Sequence, residues 1–174
     1  MPIESRYPLS LSQVSAYAIL AFLEQGALPP TAIAQDPHLT LEIEIEDMPS
    51  TQQERIYRLF EVGYEVGEQQ SLTAVERVYL ITRAWLMWVD LDDPDLDLGQ
   101  RLADLPDRRE VLLIAGLQVV ELLAELAILE IVHEAGQPVT LRPHEGHPLL
   151  DLSQVPLLDA FVAGFQAGQD AVKP

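Results

Sequence analysis

Glu130 and His133 stand three residues apart, and two more histidines follow in the segment Pro143-His144-Glu145-Gly146-His147-Pro148. Neutral imidazoles combined with a carboxylate suit zinc, iron or manganese. On a helix, residues three apart share a face, so Glu130 and His133 would offer one pair of ligands and His144 and His147 a second from the following loop. A di-iron carboxylate bundle would need a second Glu-x-x-His and two further glutamates, and the chain has no second copy of the motif. Without a metal, His133 would serve the negative end of a helix dipole and the other two would lie in a solvated loop.

A second set of oxygens lies in Asp90-Leu91-Asp92-Asp93-Pro94-Asp95-Leu96-Asp97-Leu98-Gly99. Counted from Asp93, the carboxylates of Asp93, Asp95, Asp97 and Asp104 fall at positions 1, 3, 5 and 12 of a calcium-binding loop. The match breaks at Gly99, one place late for the sharp turn, and at Asp104, shorter than the bidentate glutamate of such loops. A solvated linker whose aspartates cap the next helical turn is the competing reading.

Glu121 and Glu125, four apart in an apolar stretch, are the carboxylate pair best placed for a raised pKa, or for ion pairs with Arg77 or Arg83. Tyr57, Tyr64, Trp85 and Trp88 could line a small-ligand site, although aromatic residues at helical spacing more often fill a core.

Much other chemistry is missing its residues. The chain has no Cys and no Asn, and its single lysine is Lys173. Thiol nucleophiles, thiolate metal sites, disulfides, P-loop phosphoryl transfer and Schiff-base catalysis are therefore excluded. No G-x-S-x-G and no glycine-rich phosphate cradle occurs. Asp and Glu number 28 against 10 Lys and Arg, a net charge of −18. Such a surface repels nucleic-acid backbones and anionic membranes, so direct binding of either is not expected. The apolar stretch Val111–Val132 carries Gln118, Glu121, Glu125 and Glu130 and makes a poor membrane span. The N-terminus has no basic segment followed by a long apolar run, so a cytoplasmic location is expected.

The elements that must position these residues read as mainly α: a compact bundle of about five helices with a small two-stranded β ribbon, in one acidic helical domain spanning residues 1–174. Ser10 and Gln13 have capping-box spacing and Gly26 supplies a stop, which gives a first helix to Gln25. Leu39 to Glu46 alternates apolar and acidic residues, the mark of a half-buried strand. Two copies of that strand would set glutamates opposite glutamates, so the expected partner is Val139–Arg142. A second helix follows Pro49 and runs to about Gln70. Thr73 and Glu76 open a third, apolar on nearly every side after Val78. A helical turn near Leu98–Leu105 precedes a long helix from about Arg108 to Ala135. A last helix, capped by Asp151 or Ser153, reaches about Gly168.

Phe60, Gly63, Tyr64 and Gly67 recur in the same order and spacing as Phe161, Gly164, Phe165 and Gly168. Each glycine costs helix propensity of roughly 1 kcal/mol, and close approach of another helix would compensate.

The functional expectation is a non-enzymatic interaction or regulatory domain, its acidic faces recognising a basic partner. Glu42, Glu44, Glu46, Glu61, Glu65, Glu68, Asp90 and Asp92 are the residues expected to carry that contact. The alternative is a metal-binding protein or metal-dependent enzyme built on Glu130, His133, His144 and His147; no cofactor is specified. A mean hydropathy of +0.11 in so acidic a chain argues for more apolar surface than one core absorbs, and hence for a homodimer.

Overall fold

The computed structural model describes residues 8–86, 92, 108–144 and 154–174. Among them are three helices and one six-stranded antiparallel sheet. The expected bundle of about five helices with a small two-stranded ribbon is therefore wrong. In chain order the elements are α1 (Leu11–Gln25), β1 (Thr31–Gln35), β2 (Thr40–Glu44), α2 (Gln52–Glu68), β3 (Arg77–Leu86), β4 (Arg109–Gln118), β5 (Leu123–Val132), β6 (Thr140–Pro143) and α3 (Val155–Val172). The sheet order is β2-β1-β3-β4-β5-β6.

The two apolar runs read as helices are strands because both faces of the sheet are covered, which erases the alternation that betrays a strand. Val78 and Leu80 of β3 pack with Leu59, Val62 and Phe161 of the α2–α3 layer. Tyr79 and Ile81, one residue out of phase, pack with Val14, Ala18 and Phe22 of α1. The expected long helix is the β4–β5 hairpin. Its turn, Val119 to Leu122, holds none of the usual turn residues. Leu122 adopts a positive φ of 53° there. That turn could not be read from composition.

The ends of α1 and the start of α2 follow local rules, whereas α3 starts after Gln154 with no side-chain cap and runs to Val172, past the expected end near Gly168; Asp151 and Ser153 lie outside the described residues. Ser10 and Gln13 form a reciprocal capping box on α1, and Gly26 closes the helix at φ 70°, as such motifs do. Thr51 caps α2 through the N–H of Glu54.

The Glu-rich strand exists, but its partner is β1, not the Val139–Arg142 segment. Asp36 decides this. Its carboxylate accepts from the N–H of His38 at 2.7 Å and from that of Leu39 at 2.6 Å. These bonds fold a short turn that returns β2 onto β1. The same side chain accepts from the N–H of Thr73 at 2.9 Å, tying the turn to the loop after α2. Val139–Arg142 lies at the far edge, where β6 pairs with β5.

The recurring Phe and Gly residues pack against each other. Gly63 and Gly67 of α2 sit against the carbonyls of Phe161 and Phe165, while Gly164 and Gly168 of α3 sit against those of Phe60 and Tyr64. The order of these contacts makes the helices parallel. A methyl group on any of the four glycines would fall well inside contact distance of a backbone oxygen.

Gly→Ala in a helix ordinarily stabilises by up to about 1 kcal/mol through propensity. Here Gly63→Ala and Gly164→Ala are each expected to cost about 2–3 kcal/mol, because the helices must part. Urea unfolding followed by circular dichroism checks the sign; unchanged or raised midpoints would refute the contact.

Candidate functional site

Charge is sorted along the sheet. Of the eight cations among the described residues, Arg83, Arg108, Arg109 and Arg142 gather at the end of the sheet where β3 finishes and β4 begins, together with His133 and His144. Two glutamates organise them, one on each face.

On the α2–α3 face, Glu130 of β5 is paired in register with Val111 and Arg142. Its side chain is 8% exposed and that of His144 only 4%. His144 Nδ1 lies 2.8 Å from Glu130 Oε1, while Arg109 Nη1 donates to the same oxygen at 3.0 Å and Arg142 Nε to Oε2 at 3.4 Å. Burial pushes the Glu130 carboxyl up, but the hydrogen bonds from His144 and the two arginines, with the charge of Arg109, carry it below its ordinary value of 4.5. Hydrogen bonds to the charged form favour ionisation in this way. An ionised carboxylate only accepts, so His144 donates to it from Nδ1. His144 is held in place from its backbone too, its N–H donating to the carbonyl of Ile128.

On the α1 face, Glu110 of β4 accepts from Arg83 and lies 3.1 Å from His133 Nε2. Burial again raises the carboxyl, and His133 and Arg83 outweigh it, so Glu110 also sits below the usual carboxylate range.

The structure thus brings together Glu130 and His144 of the expected metal set and separates His133. The reason is the change from helix to strand: residues three apart share a helix face but point to opposite faces of a sheet. His147 lies outside the described residues, as do Asp90, Asp93, Asp95, Asp97 and Asp104. Among the described residues no three metal-ligating side chains converge. Two arginines beside Glu130 also oppose a divalent cation.

The expected acidic face is divided by the sheet. Glu42 and Glu44 lie on the α1 face, where Glu42 accepts from the Tyr17 hydroxyl. Glu61, Glu65 and Glu68 are exposed on α2, beyond the opposite face. Glu46 is exposed just past β2, and Asp92 is exposed in a turn.

Glu121 and Glu125 do not share a helix face, since Glu121 belongs to the β4–β5 turn and Glu125 to β5. Arg83 pairs with Glu110 instead, and Arg77 donates to the carbonyl of Leu9. Tyr57 and Tyr64 on α2 stand across the sheet from Trp85 on β3, so they line no common pocket with it; Trp88 lies outside the described residues. A cavity of about 390 Å³ opens between the start of α1 and β5, lined by Leu11, Ser12, Ser15, Ala127, Leu129 and His144 among others.

Arg83, Arg109, Glu110 and Arg142 were missed as site residues. Reading 109–132 and 140–143 as strands would have placed Arg109, Glu130 and Arg142 on one face.

Asp36, Glu110 and Glu130 all have lowered pKa values in the folded protein. Unfolded, they bind protons at their ordinary values of about 4, so their stabilisation is present at neutral pH and is lost as pH falls through the lower folded values. Glu130→Gln is expected to cost about 1–3 kcal/mol at pH 7. Urea midpoints should show the variant and the parent protein converging as pH falls below the ordinary carboxylate range; a constant gap would show that the carboxylate charge contributes nothing.

Compared with protein-family models, with curated proteins and with solved structures, the chain matches none.

Proposed function

We propose that the chain is a non-enzymatic interaction module whose acidic edge strand takes an extended, basic segment of a partner protein. The supporting observation is β2. It is one of the two edge strands of the described sheet, with Glu42 and Glu44 exposed on one side and Leu41 and Ile43 half-buried on the other. Among the described residues no ion pair answers Glu42, Glu44 or Glu46.

Strand pairing alternates the direction of backbone groups. Ile45 donates inward to Pro30, so Ile43 and Leu41 also bond toward β1, and the N–H and C=O of Glu42 and Glu44 face outward. An added strand would bond to those groups, and alternate Lys or Arg side chains would meet the glutamates. A second copy of β2 would set like charges opposite each other. The net charge of −18 would speed encounter with a basic partner and make it salt-dependent.

A cytoplasmic setting belongs to the proposal, supported by a chain free of cysteine and of disulfide dependence. No helix among the described residues is long and apolar enough to cross a membrane. The proposal also retains a homodimer. Its support is the β4–β5 turn, where Val120 is 77% exposed and Leu122 79%. Apolar side chains this open to water favour burial against a second copy.

A peptide alternating Lys with Val is the direct probe. It should bind in low salt and weaken steeply at higher ionic strength. Glu44→Lys should lower affinity about tenfold through charge, and Glu44→Pro should do so by deleting one outward N–H while sparing the β1–β2 bonds. Affinity indifferent to both substitutions would sink the edge-strand mode. Sedimentation equilibrium should give twice the 19.4 kDa chain mass, and a single-chain mass would remove the dimer.

A further inference from the structure

We infer that two copies of the chain join along the open half of β5, each placing the apolar tip of its β4–β5 hairpin at the cavity beside the other copy's β5. The inference rests on the homodimer reading and names the surfaces that form it.

Strand β6 pairs only with Leu129–Val132, and the N–H of His144 extends that ladder by one bond to the carbonyl of Ile128. Among the described residues, nothing pairs with Leu123–Ala127 on the same side. Backbone groups alternate in direction along a strand. Val119 donates toward β3, to Glu76, so Gln118, Gly116 and Ile114 bond toward β5 and engage Leu123, Glu125 and Ala127. The N–H and C=O of Ala124 and Leu126 therefore point outward, the same way as the Ile128 carbonyl. An open length of edge is a template for another strand.

Two apolar features adjoin this edge. At one end is the hairpin tip, where Val120 is 77% exposed, Leu122 79% and Leu123 51%. At the other is the cavity of about 390 Å³, with Leu11, Ala127, Leu129 and Pro143 in its lining. A projection and a recess a few residues apart on one edge suit a two-fold contact, because each copy supplies both. The β2 edge does not suit a second copy, since it would oppose glutamates to glutamates.

The register follows by elimination. Two copies of β5 related by a two-fold axis normal to the sheet run antiparallel. Pairing Glu125 with itself sets like charges directly opposite. Pairing Leu126 with itself brings Ala124 against Ile128, whose carbonyl already accepts from His144. Pairing Ala124 with itself meets neither obstacle. It sets Leu123 across from the partner's Glu125 and Leu122 across from the partner's Leu126, and carries Val120 on to the partner's Ile128, which borders the cavity. The joined sheet keeps a β2 strand at each outer margin, open to the basic segment.

Self-pairing of Ala124 puts two copies of one residue about 5.5 Å apart at Cα, within reach of a disulfide. Because the chain has no cysteine, Ala124→Cys supplies a single thiol. Mild oxidation of this full-length variant should convert it to a covalent dimer on a non-reducing gel, whereas Leu20→Cys, on the exposed side of α1, should stay single-chain. Leu122→Asp tests the tip. The φ of 53° at this residue suits aspartate, so the circular dichroism spectrum should match that of the parent protein. A charge moved into the apolar recess should raise the dimer dissociation constant about tenfold by sedimentation equilibrium. A parent dimer that neither cross-links through Ala124→Cys nor weakens with Leu122→Asp would overturn this interface and leave the homodimer standing. A single-chain mass for the parent protein would overturn both.

Discussion

The backbone contact between α2 and α3 is the constraint on which the other layers depend. Four glycines let two parallel helices meet carbonyl to Cα, and each helix then presents its apolar side chains to the same sheet face. Leu59, Val62 and Val66 from α2, with Leu157, Leu158, Phe161 and Phe165 from α3, form a single layer over Val78, Leu80, Ala115 and Leu117. The helices come from distant parts of the chain, so this contact carries a large loop-closure cost that their combined burial must offset. Helix α1 covers the other face and buries both sides of the central strands.

Burial on both faces also explains how charge is arranged. The centre of the sheet has no room for ions, so charged side chains collect where coverage stops. At the β2 edge they are glutamates without described cationic partners. At the β3–β6 end they are arginines and histidines gathered around Glu110 and Glu130. The second arrangement holds shape, since a carboxylate this buried would be costly without its donors. The first leaves charge available to a partner. One chain with a large net negative charge thus carries two regions of different electrostatic character.

Local signals were legible where their physics is local. The α1 capping box, the Gly26 stop, the Thr51 cap and the alternating strand at Leu41–Glu44 all appear where the residues indicate. The Phe and Gly echo correctly pointed to close helix approach, although nothing in the sequence said that the two copies were each other's partner. Strands β3, β4 and β5 were illegible because residues buried on both faces show no period, and because the turn at Leu122 uses a positive φ without glycine or asparagine. The site inherited that error. Glu130 and His144 meet by strand pairing, while His133 was assigned to the wrong face by helical spacing.

By itself, the sequence determined the available chemistry: carboxylates, imidazoles and arginines, no thiol, and one lysine. It also determined the start and end of α1, the start of α2, the acidic alternating strand and the need for a close helix crossing, because each depends on residues within a few positions of one another. Only the tertiary structure decided which apolar runs are strands, which strand lies beside β2, and which histidine faces Glu130. Those outcomes rest on pairing between distant segments, where the free energy comes from shared burial and inter-strand hydrogen bonds that no single segment encodes.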